Sequence, residues 1–458
     1  MIRRKNILVV CRYVLILYSM SILVLVSYDY KAAFAAPTVK DTNLKVITVA
    51  TGLLKPTSMA FIGPNDILVL EKDTGLVKRV KNGAVLPGSL LDVNVATDSE
   101  RGMLGIDVAK VGTSTTQFKV FLYYTLAQSK DGGTPIANRL YKYTLTIGNN
   151  LGPAQGRMSF DSLLLNLPVT PGPNHDGGKV AVGPDGNVYT VIGDLNRKTQ
   201  AQNFESGPAA DGTGGILRVT QDDKPVGSGI IGNTNPLNKY FAYGVRNSFG
   251  FDFDPLTSRL WDTENGPSNP SANDEINLVG PGFNSGWMDI MGYAPAGFDL
   301  NKLANFGGKG KYSNPEFVWT QAVAPTAVKF IPSDKLGSAY KNDMFVADFN
   351  KGRIYDFNLN SARNGFALSG VLADRAANMD SETQQIIFGE GFGAITDLKV
   401  GNGDGYLYVL SYGTTNGAIY KILPKSAPAT SSATTAMGEK SSQTSTGNDT
   451  NPFATSKE

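Results

Sequence analysis

Histidine and cysteine each occur once in these 458 residues. The cysteine, Cys11, lies in an apolar leader, so the remaining chain can form no disulfide and no thiolate site. Zinc, which prefers several His or Cys ligands, is excluded with it. Val9-Val10-Cys11 lacks the small residue expected before a lipidated cysteine, which argues against a lipoprotein. Charge is also scarce, at 18% of residues. The formal net charge is +2, but residues 1–36 carry five basic groups and one acid, which leaves the rest at about −2. With no basic face, nucleic acid is excluded as a partner. Long helical periodicities are few, whereas Gly, aromatic and β-branched residues are plentiful.

Arg3, Arg4 and Lys5 precede an apolar run from Ile7 to Tyr28, and Ala33–Pro37 offers small-residue cleavage sites. Residues 1–36 therefore read as an export signal, or as an N-terminal anchor if uncleaved. Either way the body of the protein is expected outside the cytoplasm: secreted, periplasmic or on the cell surface. A membrane enters only if that segment is retained. Beyond Pro424 the sequence turns to Ser, Thr, Ala, Asn and Lys. Residues 425–458 are expected to be a disordered tail, because they cannot bury enough apolar surface to offset their ordering entropy. Asn448-Asp449-Thr450 is an accessible glycosylation sequon within it.

Between these ends, residues 37–424 repeat one plan six times: an alternating strand, a Gly/Pro/Asp/Asn turn, a second strand, a polar loop and an apolar-basic-apolar strand. Phe61, Ile106, Val182, Phe253, Phe330 and Val400 mark the leading strands, at spacings of 45, 76, 71, 77 and 70. Repeats of that size, each of about four short strands, are blades of a β-propeller. The expected fold is all-β, a six-bladed propeller with about four antiparallel strands per blade.

Sites in propellers lie where the inter-blade loops converge at one end of the central channel. His175 sits on such a loop, in Pro171-Gly-Pro-Asn-His175, just before the strand Val180–Val182, the turn Gly183–Gly186 and the strand Val188–Ile192. As the only side chain whose ordinary pKa allows proton exchange near neutrality, it is the candidate general base. The other unusual loops are Asp98–Gly105, Asp194–Arg197, Tyr243–Gly250, Thr263–Asn277 with Pro281–Trp287, and Asp348–Arg353. Asp274 and Glu275, beside backbone carbonyls of a Gly-Pro turn, supply the all-oxygen set that calcium prefers.

The order Asn174-His175-x-Gly-Gly, Gly183-Pro-Asp-Gly186, Tyr243-Gly-x-Arg-Asn-x-x-Gly250, Glu264-x-Gly-Pro267, Asp274-Glu-Ile-Asn277, Asn284-x-Gly-Trp287 and Lys351-Gly resembles the soluble quinoprotein sugar dehydrogenases, the glucose/sorbosone dehydrogenase family. The resemblance covers Val46 to Leu423. It implies a six-bladed propeller that binds pyrroloquinoline quinone (PQQ) over a calcium ion (Ca2+). Such a protein oxidises a small sugar at C1 to the lactone and passes electrons to an external acceptor. Carried over by position, His175 would take the C1 hydroxyl proton as hydride leaves. Arg246 and Asn247 would contact the quinone, and Lys351 would pair with one of its anionic groups. The carbonyls of Gly266 and Pro267 would hold the calcium, supported by Asp274 and Glu275.

The chain also departs from that pattern around the cofactor. Glu100 stands where relatives carry glutamine, an acid facing a tri-acidic ligand unless paired, with Arg101 as the expected partner. Asn174 replaces an acid found before the histidine in some members, and Phe249 replaces a polar cofactor contact. Ala394 and Thr396 occupy the places of two arginines that clamp cofactor carboxylates, a task neither can perform. Two other classes of function stay open on these grounds: a cofactor-less propeller that binds carbohydrate or a partner, and a calcium-dependent lactonase.

Overall fold

A computed structural model describes residues 36–267 and 273–427. Most of the leader and of the tail lies outside the described residues. Among those described, strands dominate, the helical turns are short 3-10 segments, and no helix is long and apolar enough to cross a membrane.

The strands sort into six sheets, each led by one marked strand: Pro56–Gly63, Met103–Lys110, Val180–Val182, Ser248–Phe253, Pro325–Phe330 and Ile395–Val400. Each leading strand pairs antiparallel with the next in sequence, as the short turns between them require. Leading strands pack on one another in chain order, except that the third sheet meets the fourth through Val188–Ile192, and Ile395–Val400 returns to Pro56–Gly63. This is a β-propeller. The hydrophobic clusters follow the same order, each lying between two neighbouring sheets. One joins Ile106 and Val120 to Leu68 and Val77, and another joins Met59 and Val69 to Val409's neighbours Tyr408 and Leu410. Second strands such as Val188–Ile192, Met344–Asp348 and Leu407–Ser411 are buried at every position, because a sheet covers each face.

The plan of about four strands holds for the second and last sheets, while others gain short edge strands. Phe283–Asn284 and Lys311–Tyr312 extend the third by parallel pairing, and Thr38–Val39 caps the fifth. The last sheet takes its outer strand from far away in sequence. Leu44–Leu53 pairs with Gly417–Pro424, with Leu44 opposite Pro424.

Candidate active site

The loop that carries His175 is forced into shape by its glycines and by one carboxylate. His175 itself has φ 66°, and Gly177 and Gly178 follow at φ 60° and 104°. The loop lies so close to Gly193 that a Cβ there would stand 2.5 Å from the His175 carbonyl and 2.4 Å from that of Arg246. Glu100 ties the turn from the other side. Its Oε2 accepts from the His175 amide at 2.6 Å and from the Asp176 amide at 3.3 Å, and Asn247 Nδ2 donates to both carboxylate oxygens at 3.2 Å. Arg101 is not its partner. That guanidinium donates to the Val169 carbonyl at 2.5 Å, with Asp98 4.0 Å away. Backbone donors therefore occupy the acid that the sequence pairs with Arg101.

His175 is buried, and its Nδ1 lies 2.6 Å from Asp194 Oδ1. Asp194 accepts two further bonds: Asn196 N at 2.7 Å on Oδ1 and Trp287 Nε1 at 2.6 Å on Oδ2. With a carboxylate on Nδ1, that nitrogen carries the hydrogen and Nε2 keeps its lone pair. Nε2 has no hydrogen-bond partner among the described residues. The next residue, Asp176, is fully buried. Asn138 Nδ2 donates to its Oδ1 at 2.9 Å, while Oδ2 has no partner. Burial pushes its pKa up to about 7.

Arg246 comes from the turn between the third and fourth sheets. Its amide donates to Glu264 Oε1 at 2.6 Å, and its guanidinium lies 5.3 Å above the Trp287 ring. Nη1 donates to the carbonyls of Asn265 at 2.7 Å and Gly266 at 2.9 Å. The Gly266 carbonyl, expected on calcium, thus accepts from a permanent cation instead. A calcium ion about 2.4 Å from that oxygen would feel a repulsion of roughly 6 kcal/mol from the guanidinium at an effective dielectric near 20.

The acids beside it are equally engaged. Asp274 accepts from Gly266 N at 2.8 Å, Val323 N at 2.6 Å and Ala324 N at 2.8 Å. Glu275 accepts from Gly292 N at 2.8 Å, Ser285 Oγ at 3.0 Å and Asn277 Nδ2 at 3.2 Å. These residues shape loops and, as they stand, do not fit a calcium ion. Pro267 ends the described part of its loop. Facing Glu275 across the strand pair is Glu264, also buried, whose Oε2 lies 2.7 Å from the same Ser285 hydroxyl, so the two acids share its single hydrogen.

Next to the histidine loop is a cavity of about 290 Å³. Leu104, Phe249, Ala324, Phe349 and Tyr412 form apolar walls, and Lys72, Lys179 and Glu100 bring charge to it. Lys179 also lines it. Its ammonium lies 2.6 Å from Asp397 Oδ1, joining the third sheet to the sixth, and the same lysine lines a second cavity of about 260 Å³. Lys72 is 2.9 Å from Asp73, which also pairs with Lys55.

The structure therefore brings His175, Glu100, Asn247 and Arg246 together, with Phe249 and Thr396 on the cavity. Lys351 is exposed, its ammonium 3.7 Å from Asp380 and outside the cavity lining. Asn174 is exposed and accepts from the Ser99 hydroxyl. The sequence reading missed Lys179, Lys72 and Asp176, and treated Asp194 and Trp287 only as parts of motifs. A lysine directly before an inner strand, and an aspartate within the last one, were the signals for the Lys179–Asp397 pair.

Comparison with known proteins places this geometry. The family model described as Glucose / Sorbosone dehydrogenase matches residues 53–421. The chain is similar to the aldose sugar dehydrogenase YliI of Escherichia coli K12, 23% identical over 407 residues, covering 86% of this chain and 95% of that protein. The quinoprotein glucose dehydrogenase B of Acinetobacter calcoaceticus is 26% identical over 280 residues, 56% of this chain and 54% of that protein. Among solved structures, the PQQ-bound aldose sugar dehydrogenase of Streptomyces coelicolor superposes with a TM-score of 0.59 at 22% identity. That match spans 84% of this chain and all of the other.

Proposed function

Because the chain belongs to the glucose/sorbosone dehydrogenase family, we propose that it is an exported, six-bladed quinoprotein-type aldose dehydrogenase that oxidises a sugar at C1 to the lactone. The observation that carries this reading is the His175 Nδ1–Asp194 contact of 2.6 Å, which leaves Nε2 as a free acceptor on a loop beside the cavity. Nε2 takes the proton of the C1 hydroxyl, which turns that carbon into a far better hydride donor. Glu100 holds the His175 and Asp176 amides, so the imidazole is placed before substrate arrives.

When bound, PQQ would supply the hydride acceptor, from which electrons would pass to an external acceptor. A flat acidic ring system suits the cavity in shape and charge. Phe249, Phe349 and Tyr412 offer flat walls, and Lys72 and Lys179, each paired with an aspartate, line it together with Glu100. Arg246 supplies a third fixed cation nearby. No step requires calcium, and of its expected ligands the Gly266 carbonyl, Asp274 and Glu275 are otherwise engaged. Ala394, Thr396 and the outward Lys351 favour a second reading, a propeller that binds sugar without the quinone. Purified protein mixed with PQQ should reduce an artificial dye in the presence of an aldose, and PQQ should titrate by absorbance. A folded protein that reduces no dye with any sugar of a broad panel, yet binds one tightly, would establish the second reading instead.

A further inference from the structure

We propose that Trp287 is a positioning residue that sets the protonation pattern of His175, acting through Asp194. This rests on the reading of His175 as the base. Asp194 receives donors at both oxygens: His175 Nδ1 and Asn196 N on Oδ1, Trp287 Nε1 on Oδ2. A carboxylate gripped only at Oδ1 is free to turn about its Cβ–Cγ bond. The indole at 2.6 Å removes that freedom, and an indole N–H can only donate. It therefore holds Asp194 as an acceptor facing Nδ1, which keeps the hydrogen on Nδ1 and the lone pair on Nε2.

Trp287 is itself held from three sides. Its amide donates to the Gly244 carbonyl at 3.0 Å, its own carbonyl accepts from Asn203 Nδ2 at 2.7 Å, and its ring carries the Arg246 guanidinium. Asn203 is clasped in turn by Asn284, with amide bonds of 2.9 and 2.7 Å in both directions. One side chain thus fixes the aspartate behind the base with its edge and the site's arginine with its face. The two tasks can be separated. Trp287→Phe keeps an aromatic face for Arg246 but deletes the donor to Asp194.

The single histidine makes the test direct. Protein labelled with 15N at histidine gives one imidazole, whose nitrogen shifts report the tautomer and whose titration gives a midpoint. In the wild type the hydrogen should reside on Nδ1. In Trp287→Phe the Nε2–H tautomer should become the dominant form, outnumbering Nδ1–H about tenfold, and the midpoint should move. With sugar and dye, kcat should fall at least about tenfold, as expected for a base in the wrong tautomer, with KM nearly unchanged. Trp287→Phe combined with Asp194→Asn should lose little beyond Asp194→Asn alone. Should Trp287→Phe fail to fold, benzothienylalanine at 287 deletes the N–H while preserving shape. An imidazole with the wild-type tautomer and midpoint in either variant would overturn the proposal. The NMR arm needs neither sugar nor quinone, so a protein that reduced no dye would still decide it.

Discussion

Replacing Asp176 by Asn should stabilise this protein at alkaline pH, by an amount that depends on pH in a defined way. Asp176 is completely buried, has one hydrogen bond on Oδ1 and none on Oδ2, and faces the Glu100 charge. Burial lifts its pKa from an ordinary 3.8 to about 7. Between those values the folded form binds a proton that the unfolded form has released. The stability that this group contributes is therefore fully present below 3.8, declines as pH rises and is gone above about 7. A shift of about three units corresponds to a loss of about 4 kcal/mol at pH 8, an upper bound on what ionisation costs there. Asn keeps the acceptor for Asn138, cannot ionise, and places an N–H₂ where an oxygen has no partner. Chemical denaturation of both proteins from pH 4.5 to 8.5 is the assay. The advantage of Asp176→Asn should be small at pH 4.5, grow steadily and level off above pH 7 at a few kcal/mol. A difference of equal size at every pH would refute the reasoning, since a packing or hydrogen-bond effect has no such dependence.

Other outcomes follow from the same site. His175→Gln should lower turnover on the order of 10²–10⁴-fold while barely altering quinone affinity; wild-type turnover would remove His175 from the chemistry. Lys179→Met removes the ion-pair partner of buried Asp397, which keeps bonds from Ser58, Met59 and Leu398, and should cost up to about 3 kcal/mol, much of it recovered by adding Asp397→Asn; denaturation of the single and double variants gives the comparison. Excess chelator should leave the melting temperature unchanged, because Arg246 and backbone amides occupy the Gly266 carbonyl, Asp274 and Glu275, three of the four groups expected to hold calcium; a fall of several degrees reversed by added calcium would contradict that geometry.

Features that repeat locally were legible in the sequence. The marked positions Phe61 to Val400 all fall in leading strands, because a strand buried on its inner face shows its alternation within a few residues. The loops bearing His175 and Arg246, and the one that follows the strand ending at Glu264, were legible for a similar reason, as dense Gly/Asn/Asp clusters that no strand would carry. Pairings set by the ring were not. Glu100 meets an amide 75 residues away, Asp194 an indole 93 away and Lys179 a carboxylate 218 away. Nothing near Glu100 in sequence shows that main-chain donors, rather than Arg101, will surround it. The Gly266 carbonyl is a similar case, since its partner depends on where a side chain twenty residues earlier turns back.

The pairing of Leu44–Leu53 with Gly417–Pro424 has a kinetic consequence. The circle is clasped by hydrogen bonds rather than by a covalent link, and the two halves of the clasp are among the last segments able to meet during synthesis. Until Gly417–Pro424 has emerged, Leu44–Leu53 is an open edge, with unpaired backbone groups that invite association with other chains. Closure waits on contacts of very large sequence separation, so assembly of the circle should be slow compared with formation of its local hairpins. A circular permutant cut at the exposed turn between Lys110 and Gln117 would make that clasp a local event. It should then close earlier and aggregate less during refolding, with the finished architecture unchanged.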